Sequence, residues 1–185
     1  MLTFWFHGYN QSTQAVFKNN TLHNLSLLTG NFCRKCAGPL SITGEANTMG
    51  CRWVGALSHL LPGLRMVTNP KHRQEVAEFW GVPFEKIQPT AGYSIMEIIK
   101  GLHSGEVRAL WVIASNPAAS LPHTRWVEEG LSKAEFLVVQ DIFHPTETTM
   151  LADVILPGSM WGEKTGTFIS SERRVELMEK LVEPP

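Results

Sequence analysis

The chain has 185 residues, and its 16 Lys and Arg residues nearly balance its 17 Asp and Glu residues, leaving a formal net charge of −1. A hydrophobic fraction of 43% with 18% charged residues is typical of a globular protein and excludes a wholly disordered one. The balanced charge argues against nucleic acid or an anionic membrane as the main partner, and no apolar run approaches the roughly 20 residues of a membrane helix. We therefore expect no nucleic-acid partner and no membrane partner.

The amino-terminal third combines one strand, one helix and a long irregular stretch. The apolar run at residues 2–6 predicts a strand that ends in a tight turn at residues 7–10. Apolar residues at helical spacing predict a helix over residues 11–28, with Gly30 as its stop. From residue 31 to residue 63, repeated glycines and prolines leave little room for a long element. We interpret residues 1–63 as the end of an α/β domain followed by an irregular connecting loop.

Regular elements return in the remainder of the chain. The spacing predicts helices at residues 71–80, 94–104 and 124–133, a short helical piece at 146–151, and strands at 109–113, 136–139 and 153–156. The strand at residues 109–113 is a continuous apolar run, which is typical of a strand buried on both faces of a sheet, and the strand at residues 136–139 is also apolar. Alternating strands and helices indicate right-handed crossovers onto a parallel sheet. The predicted fold class is therefore α/β, with an open, mostly parallel sheet flanked by helices in a cofactor-binding domain over residues 64–185.

Polar residues follow two neighbouring strands of this predicted sheet. Asn116 comes shortly after the first strand, and Gln140 and Asp141 follow the second. Ligands of open parallel sheets bind beyond the carboxyl ends of the strands, where a carboxylate suits ribose hydroxyls or the N–H edge of guanine. Lys164, in a glycine-containing loop, could add a cation for a phosphate. A polar residue after a strand is also a common turn former, so these residues are candidates with a structural alternative.

No glycine-rich phosphate loop accompanies these candidates. The chain has neither a Gly-x-Gly-x-x-Gly fingerprint after a strand nor a Walker-type Gly-Lys-Ser/Thr run. It also lacks a Gly-x-Ser-x-Gly nucleophile elbow, and its seven histidines are scattered. A bound nucleotide would therefore be held by some other arrangement, and no catalytic residue is predicted.

The cysteines leave two interpretations open. Cys33, Cys36 and Cys51 are an odd number, which favours free thiols and a reducing, cytoplasmic setting. The first pair has Cys-x-x-Cys spacing, and Cys51 with His59 could complete a zinc site in a zinc-stabilised interaction domain. An iron–sulfur cubane would require a fourth cysteine. Free thiols are the preferred interpretation.

Several segments together resemble the molybdopterin oxidoreductase family. The matching runs lie at residues 7–14, 24–31, 37–39, 43–50, 109–118, 138–141, 152–157, 161–167 and 171–175. They cover nearly the whole chain in the family's order and spacing. The Asn-Gln-Ser-Thr-Gln run at residues 10–14 and the run at residues 43–50 are most similar to the catalytic subunits of assimilatory nitrate reductases, which reduce nitrate to nitrite.

The resemblance implies a cofactor and a set of contacts. Enzymes of the family bind molybdenum between two molybdopterin guanine dinucleotides. By the resemblance, His7 and Gln11 approach this pterin cofactor from the first strand-turn. The resemblance also implies that one guanosine end of the cofactor is held at the sheet edge by Asn116, Gln140 and Asp141. Lys164 is implied to contact the same cofactor.

The resemblance also implies that other parts of such an enzyme lie outside this sequence. The family's cysteine motif for a [4Fe–4S] cluster, its molybdenum ligand and its carboxy-terminal domain have no counterpart here. We therefore expect an internal fragment that is inactive by itself, with the remaining domains and an electron-donor protein as partners. A fragment of a formate dehydrogenase of the same family, or a non-catalytic nucleotide-binding module, are the alternatives.

The chain departs from the family pattern at a few positions. All three cysteines stand where the family commonly has glycine, Trp53 stands where a glutamate is common, and His7 where methionine is frequent. Glycines often adopt a positive φ, which other residues adopt only with strain. The cysteines at these positions therefore raise the question of whether the loops keep the backbone geometry of the family.

Overall fold

The computed structural model describes residues 1–42, 46–170 and 173–185. The chain divides into two compact units, Met1–Met49 and Gly50–Pro185. Residues 43–45 and 171–172, which contribute to the family resemblance, lie outside the described residues. The division predicted between residues 63 and 64 stays a prediction.

The first unit pairs two short parallel strands. Its elements are β1 (Leu2–Trp5), α1 (His7–Asn10), α2 (Ala15–Leu28) and β2 (Gly38–Ser41), and α3 (Thr48–Trp53) crosses the boundary between the units. β1 and β2 run parallel with Leu2 opposite Gly38. The predicted strand and long helix are confirmed, whereas the predicted tight turn is a single helical turn, α1. The stretch predicted to be irregular contains β2. This strand was not predicted, because four residues that include a glycine and a proline carry no strand pattern of their own.

The second unit begins with a small hairpin and helix. The strands β3 (Leu60–Leu61) and β4 (Arg65–Met66) are antiparallel, and α4 (Pro70–Trp80) follows them. Asn69 caps α4, since its side chain accepts a hydrogen bond from the backbone N–H of Lys71, and Gly81 ends the helix with a φ of 65°. A small cluster of buried side chains joins these elements: Leu61, Val67, Val76, Ala77 and Ile87.

A three-stranded parallel sheet is the main feature of the second unit. Its elements are α5 (Ile95–Ser104), β5 (Ala109–Ile113), α6 (Pro117–Ser120), α7 (Thr124–Leu131), β6 (Phe136–Asp141), a 3₁₀ turn (Thr149–Leu151) and β7 (Val154–Pro157). The strands lie in the order β5-β6-β7 and all run parallel. The sequence predicted all three strands and the α/β class, and the structure confirms both.

Helices pack against one face of this sheet. Leu137 and Val139 of β6 are fully buried against α5 and α7, which contribute Ile99 and Val127. A Cβ atom at Gly130 of α7 would lie 3.0 Å from Cγ2 of Ile99, so the missing side chain lets the two helices approach closely. The core of the unit therefore lies between this face and the two helices.

The other face of the sheet is open, which corrects the expectation that the strand at residues 109–113 is buried on both sides. Trp111 and Ile113 of β5 are 57% and 56% exposed, and Phe136 of β6 is 48% exposed. A continuous apolar run indicates that a strand can be buried on both faces of a sheet. It does not show which segment covers the second face. In the described residues, helices cover only one side.

The chain ends in a hairpin that the sequence pattern did not predict. After a 3₁₀ turn at Trp161–Glu163, the antiparallel strands β8 (Gly166–Ile169) and β9 (Val175–Met178) pair with Gly166 opposite Met178. Among the described residues, no helix has the length and apolar character needed to span a bilayer.

Candidate functional site

The carboxyl ends of the three parallel strands lie side by side. The backbone N–H of Ala114, just past β5, donates to the carbonyl oxygen of Gln140 at 2.8 Å. The N–H of Gly158, just past β7, donates to the carbonyl oxygen of Asp141 at 2.9 Å. These bonds bring the segments after β5 and β7 to the end of β6, at the edge where ligands of open parallel sheets bind.

The side chain of Asn116 ties two of these segments together. Its Oδ1 accepts hydrogen bonds from the N–H and the Oγ1 of Thr148, at 3.2 Å and 2.6 Å, and its Nδ2 donates to Oε2 of Glu147 at 2.7 Å. The buried Thr148 hydroxyl also accepts from the N–H of Ala118, in the first turn of α6. The amide of Asn116 therefore joins the segment after β5 to the segment after β6.

Glu147 and Thr148 belong to this hydrogen-bond network around Asn116, but the sequence did not predict their involvement. They lie 31 and 32 residues from Asn116, and no spacing rule connects a polar residue after one strand with a loop so far along the chain. The hydrogen bond from the Asn116 amide holds the pKa of the Glu147 carboxyl below its usual range. Glu147 is thus an ionised, exposed group close to the strand ends at neutral pH.

Asp141 has one engaged and one open carboxylate oxygen. Oδ1 accepts from the backbone N–H groups of Ile142 and Phe143, at 2.7 Å and 3.2 Å, which fixes the carboxylate at the end of β6. Within the part of the chain that the structure describes, Oδ2 accepts no hydrogen bond from the protein. The side chain is half-buried. Asp141 therefore presents one acceptor oxygen at a fixed position.

Gln140 and Asp141 share the strand end but not the face of the sheet. Successive side chains of a strand point to opposite faces. Gln140 lies on the open face with Phe136 and Val138, and Asp141 lies on the helix-covered side. No hydrogen bond between described residues joins Asn116 to Asp141, so what the structure brings together is their backbone segments.

Lys164 lies further along the chain, beyond β7. It follows the 3₁₀ turn at Trp161–Glu163, its backbone is extended and its side chain is exposed. No hydrogen bond or ion pair in the described ranges links its ammonium group to the strand ends. Its approach to a cofactor remains a prediction.

His7 and Gln11 belong to the first unit and lie one helical turn apart. His7 opens α1, and its ring stacks on that of Phe6 with 3.8 Å between the ring centroids. The backbone N–H of Gln11 donates to the carbonyl oxygen of His7 at 2.8 Å, and the Gln11 side chain is exposed. Asn10 anchors the turn, because it accepts from Nε1 of Trp5 and donates to Oγ of Ser41. The turn that presents His7 and Gln11 is therefore held by side chains at the ends of β1 and β2.

The cysteines show no metal-binding arrangement. All three are free and exposed, and no group of three or more His, Cys, Asp or Glu side chains in the described ranges could hold a metal ion. Cys33 and Cys36 have φ values of 54° and 59°, the left-handed region that glycine adopts without strain. The backbone thus keeps a glycine-like geometry at two positions where the resembling family has glycine, and the zinc interpretation gains no support.

The strand-end residues fit the nucleotide tail of the implied cofactor in their chemistry. The open Oδ2 of Asp141 is an acceptor of the kind that the N–H edge of a guanine requires, and the Gln140 amide offers both a donor and an acceptor. A metal ligand set is a different matter, since the described residues hold none. The fit therefore concerns the nucleotide end and not the metal.

Comparison with known proteins agrees with the resemblance over the full chain. A sequence model of the molybdopterin oxidoreductase family matches residues 1–185. A protein of Synechocystis sp. named nitrate reductase is 44% identical over 185 residues, which cover 100% of this chain and 26% of that protein. A nitrate reductase of Symbiobacterium thermophilum is 44% identical over 184 residues, covering 99% of this chain and 24% of the relative.

A third relative carries a compartment in its name. The periplasmic nitrate reductase of Desulfovibrio desulfuricans is 41% identical over 186 aligned positions, covering 100% of this chain and 25% of that protein. The chain thus spans about a quarter of the length of these curated relatives. Because the family model matches every residue, this chain belongs to the molybdopterin oxidoreductase family.

Proposed function

We propose that this chain is an internal part of a molybdenum-dependent nitrate reductase catalytic subunit, one that reduces nitrate to nitrite in nitrate assimilation. The observation that carries the proposal is the identity of 41–44% to three relatives named nitrate reductase, each matched across essentially the whole of this chain. Because the match spans about a quarter of each relative, the complete protein would be about four times longer.

The role of this chain in such an enzyme is to bind the guanosine end of a molybdopterin guanine dinucleotide. When bound, the molybdenum of the cofactor supplies the oxygen-atom transfer chemistry. Oδ2 of Asp141 accepts from the N–H edge of the guanine, and the Gln140 amide contacts the same nucleotide. Support comes from the fixed carboxylate of Asp141, whose second oxygen has no protein donor among the described residues.

The other candidates have complementary roles in this proposal. Asn116 contacts the nucleotide and also holds the segments after β5 and β6 in position around it, through its hydrogen bonds with Thr148. Lys164 pairs with a phosphate of the cofactor, and His7 and Gln11 approach its pterin. We also propose that the cofactor is the bis(molybdopterin guanine dinucleotide) form, and that residues 64–185 form the domain that binds its guanosine end.

The rest of the enzyme supplies what this chain does not. Remaining domains bring the [4Fe–4S] cluster and the molybdenum ligand, and an electron-donor protein or subunit reduces the enzyme. The 185-residue chain alone does not turn over nitrate. We place the enzyme in the cytoplasm, because all three cysteines of this chain are free thiols, the state that a reducing compartment maintains.

The experiment is an activity assay on the full-length protein that carries this sequence. We expect purified, cofactor-loaded enzyme to oxidise reduced methyl viologen when nitrate is added, with nitrite formed in proportion. Formate-dependent reduction of the dye without any nitrate activity would replace the proposal with a formate dehydrogenase. If the protein shows neither activity but binds GDP saturably, a non-catalytic nucleotide-binding module would be favoured.

Two variants of Asp141 separate binding of the nucleotide from folding of the strand end. Asp141→Asn keeps an Oδ1 acceptor for the N–H groups of Ile142 and Phe143 but removes the negative charge, whereas Asp141→Ala removes both. We expect both variants to lose guanine nucleotide relative to molybdenum, measured as guanine released per metal after acid treatment. Only Asp141→Ala should also lower the thermal midpoint. Full nucleotide retention in both variants would contradict the role of Asp141.

A further inference from the structure

Two of the three cysteines lie three residues apart in one exposed loop of the first unit. Cys33 and Cys36 belong to the segment between α2 and β2, in which residues 32–36 are all exposed. Cysteine is among the residue types that are most often buried, and reactivity rather than packing usually accounts for a cysteine in an exposed position. The two thiols of this loop therefore offer chemistry to the solvent and contribute little to the core.

The backbone of the loop is curved and holds both cysteines in the left-handed region. Their φ values are 54° and 59°, a conformation that is strained for a residue with a Cβ atom. The chain bends at residues 32–34, and the backbone N–H of Ala37 donates to the carbonyl oxygen of Arg34 at 3.2 Å, which closes a turn around Cys36. A fully extended segment would separate the Cα atoms of the two cysteines by about 10 Å. The bends and the turn shorten that separation towards the roughly 4.4–6.8 Å that a disulfide requires.

The loop is fixed at its ends and exposed in its middle. At one end, the backbone N–H of Asn31 donates to the carbonyl oxygen of the buried Ser26 at 2.8 Å. At the other end, the N–H of Gly38 donates to the carbonyl oxygen of Met1 at 3.0 Å, where β2 begins. A bond between the two cysteines can therefore form by adjustment of exposed residues, without moving a buried side chain.

The loop offers two sulfur atoms but no complete metal site. A structural zinc site takes four ligands, and no group of three or more His, Cys, Asp or Glu side chains in the described ranges could hold a metal ion. Reactive cysteines of dithiol oxidoreductases commonly lie at a helix N-terminus, whereas this pair follows the carboxyl end of α2. The chemistry that suits the pair is thiol–disulfide exchange in which its own sulfurs are oxidised.

We propose that Cys33 and Cys36 form a reversible thiol–disulfide site that is oxidised by a small anionic disulfide of the glutathione class. In the first step, the thiolate of one cysteine attacks the small disulfide, forms a mixed disulfide and releases one glutathione thiolate. In the second step, the other cysteine attacks the protein sulfur of the mixed disulfide and releases the second glutathione. The two protein thiols lose two electrons and two protons, and the small disulfide takes up both as two molecules of reduced glutathione.

The surroundings of the pair favour this reactant. Arg34 and Lys35 lie between the two cysteines and are exposed. Oxidised glutathione is an anion at neutral pH, so these two cations attract it to the loop. The second step is intramolecular, which favours the closed disulfide over the mixed one. In a reducing cytoplasm such a disulfide is transient, and its formation does not depend on which substrate the enzyme reduces.

The test uses the full-length, cofactor-loaded protein, first reduced and then equilibrated without oxygen in mixtures of oxidised and reduced glutathione. Free thiols are blocked with N-ethylmaleimide before digestion. Trypsin cleaves after Arg34 and Lys35, so it separates the two cysteines of the reduced loop, whereas a disulfide keeps their peptides linked. With reduced glutathione at about 0.1 mM and an effective concentration in the mM range, the linked peptide should exceed the mixed disulfides of the loop about tenfold. Dithiothreitol should restore both thiols.

Cys51 and three serine variants are the controls. Cys51 is free and exposed on α3, so it reports the behaviour of a single thiol under the same conditions. Cys33→Ser and Cys36→Ser should each stop at the mixed disulfide, and Cys51→Ser should leave the linked peptide unchanged. The inference is overturned if, in the unaltered protein, glutathione adducts of the loop are as abundant as the linked peptide. It is also overturned if both loop thiols stay reduced in about tenfold excess of oxidised glutathione, or if the native protein shields both from N-ethylmaleimide.

Discussion

Replacement of Asn116 tests the link between the segments that follow β5 and β6. Its Oδ1 accepts from two groups of Thr148, a residue with no exposed surface. Asn116→Ala leaves that buried N–H and hydroxyl without this acceptor. A buried polar group without its partner costs about 1–3 kcal/mol, so we expect a loss of about 2–4 kcal/mol in the free energy of unfolding.

Asn116→Asp separates the two functions of the amide. The variant keeps an acceptor oxygen for Thr148, but it replaces the donor to Glu147 with a second carboxylate at a contact of 2.7 Å. We expect it to be destabilised at pH 7 by repulsion between the two charges. Adding Glu147→Gln should recover that loss, because the glutamine amide can donate to the new carboxylate. The coupling energy between the two substitutions should be about 1–3 kcal/mol.

The assay is urea unfolding at pH 7, monitored by circular dichroism, of Asn116→Ala and of the four proteins in the double-mutant cycle of Asn116→Asp and Glu147→Gln. Glu147→Gln alone should be close to neutral, since its side-chain oxygen still accepts from Asn116. The reasoning is refuted if Asn116→Ala changes the unfolding free energy by less than about 0.5 kcal/mol, the scale of a surface substitution. It is also refuted if Asn116→Asp and Glu147→Gln are additive.

Three further predictions concern other parts of the chain, each read from urea unfolding. Leu137→Ala should cost about 2–4 kcal/mol, while the matched Leu177→Ala, at a side chain 66% exposed, should cost less than about 0.5. Cys36→Gly should stabilise the chain by about 1 kcal/mol by relieving a left-handed backbone, and an unchanged midpoint would contradict that strain. The hydrogen bond from Arg108 lowers the pKa of the Glu135 carboxyl, so its stabilisation is present above the ordinary glutamate pKa and lost as pH falls through the lowered value. Glu135→Gln should therefore differ from the parent chain at pH 7 and converge with it in acid.

The strands of the main sheet were predictable because their signal is local. The run at residues 109–113 is wholly apolar, and the structure has β5 at Ala109–Ile113. Likewise, Ser94 and Gly105 mark the two ends of α5, where they serve as the N-cap and the left-handed C-cap. Local chemistry of this kind is written within a few neighbouring residues.

The features that escaped prediction depend on contacts between distant residues. β2 is a strand only because it pairs with β1, more than thirty residues earlier in the chain. Thr148 completes the environment of Asn116 from the far side of β6. The exposure of Trp111 has the same origin, because an apolar run does not reveal whether the segment that covers it belongs to the same stretch of chain.

The measurement that bears most directly on the central claim is the structure of the full-length, cofactor-loaded protein at the β5-β6-β7 strand ends. The account predicts density for a guanine base with its N–H edge within hydrogen-bond distance of Oδ2 of Asp141 and with the Gln140 amide in contact with the same nucleotide. A guanine base bound elsewhere, with water alone on that oxygen, would contradict it.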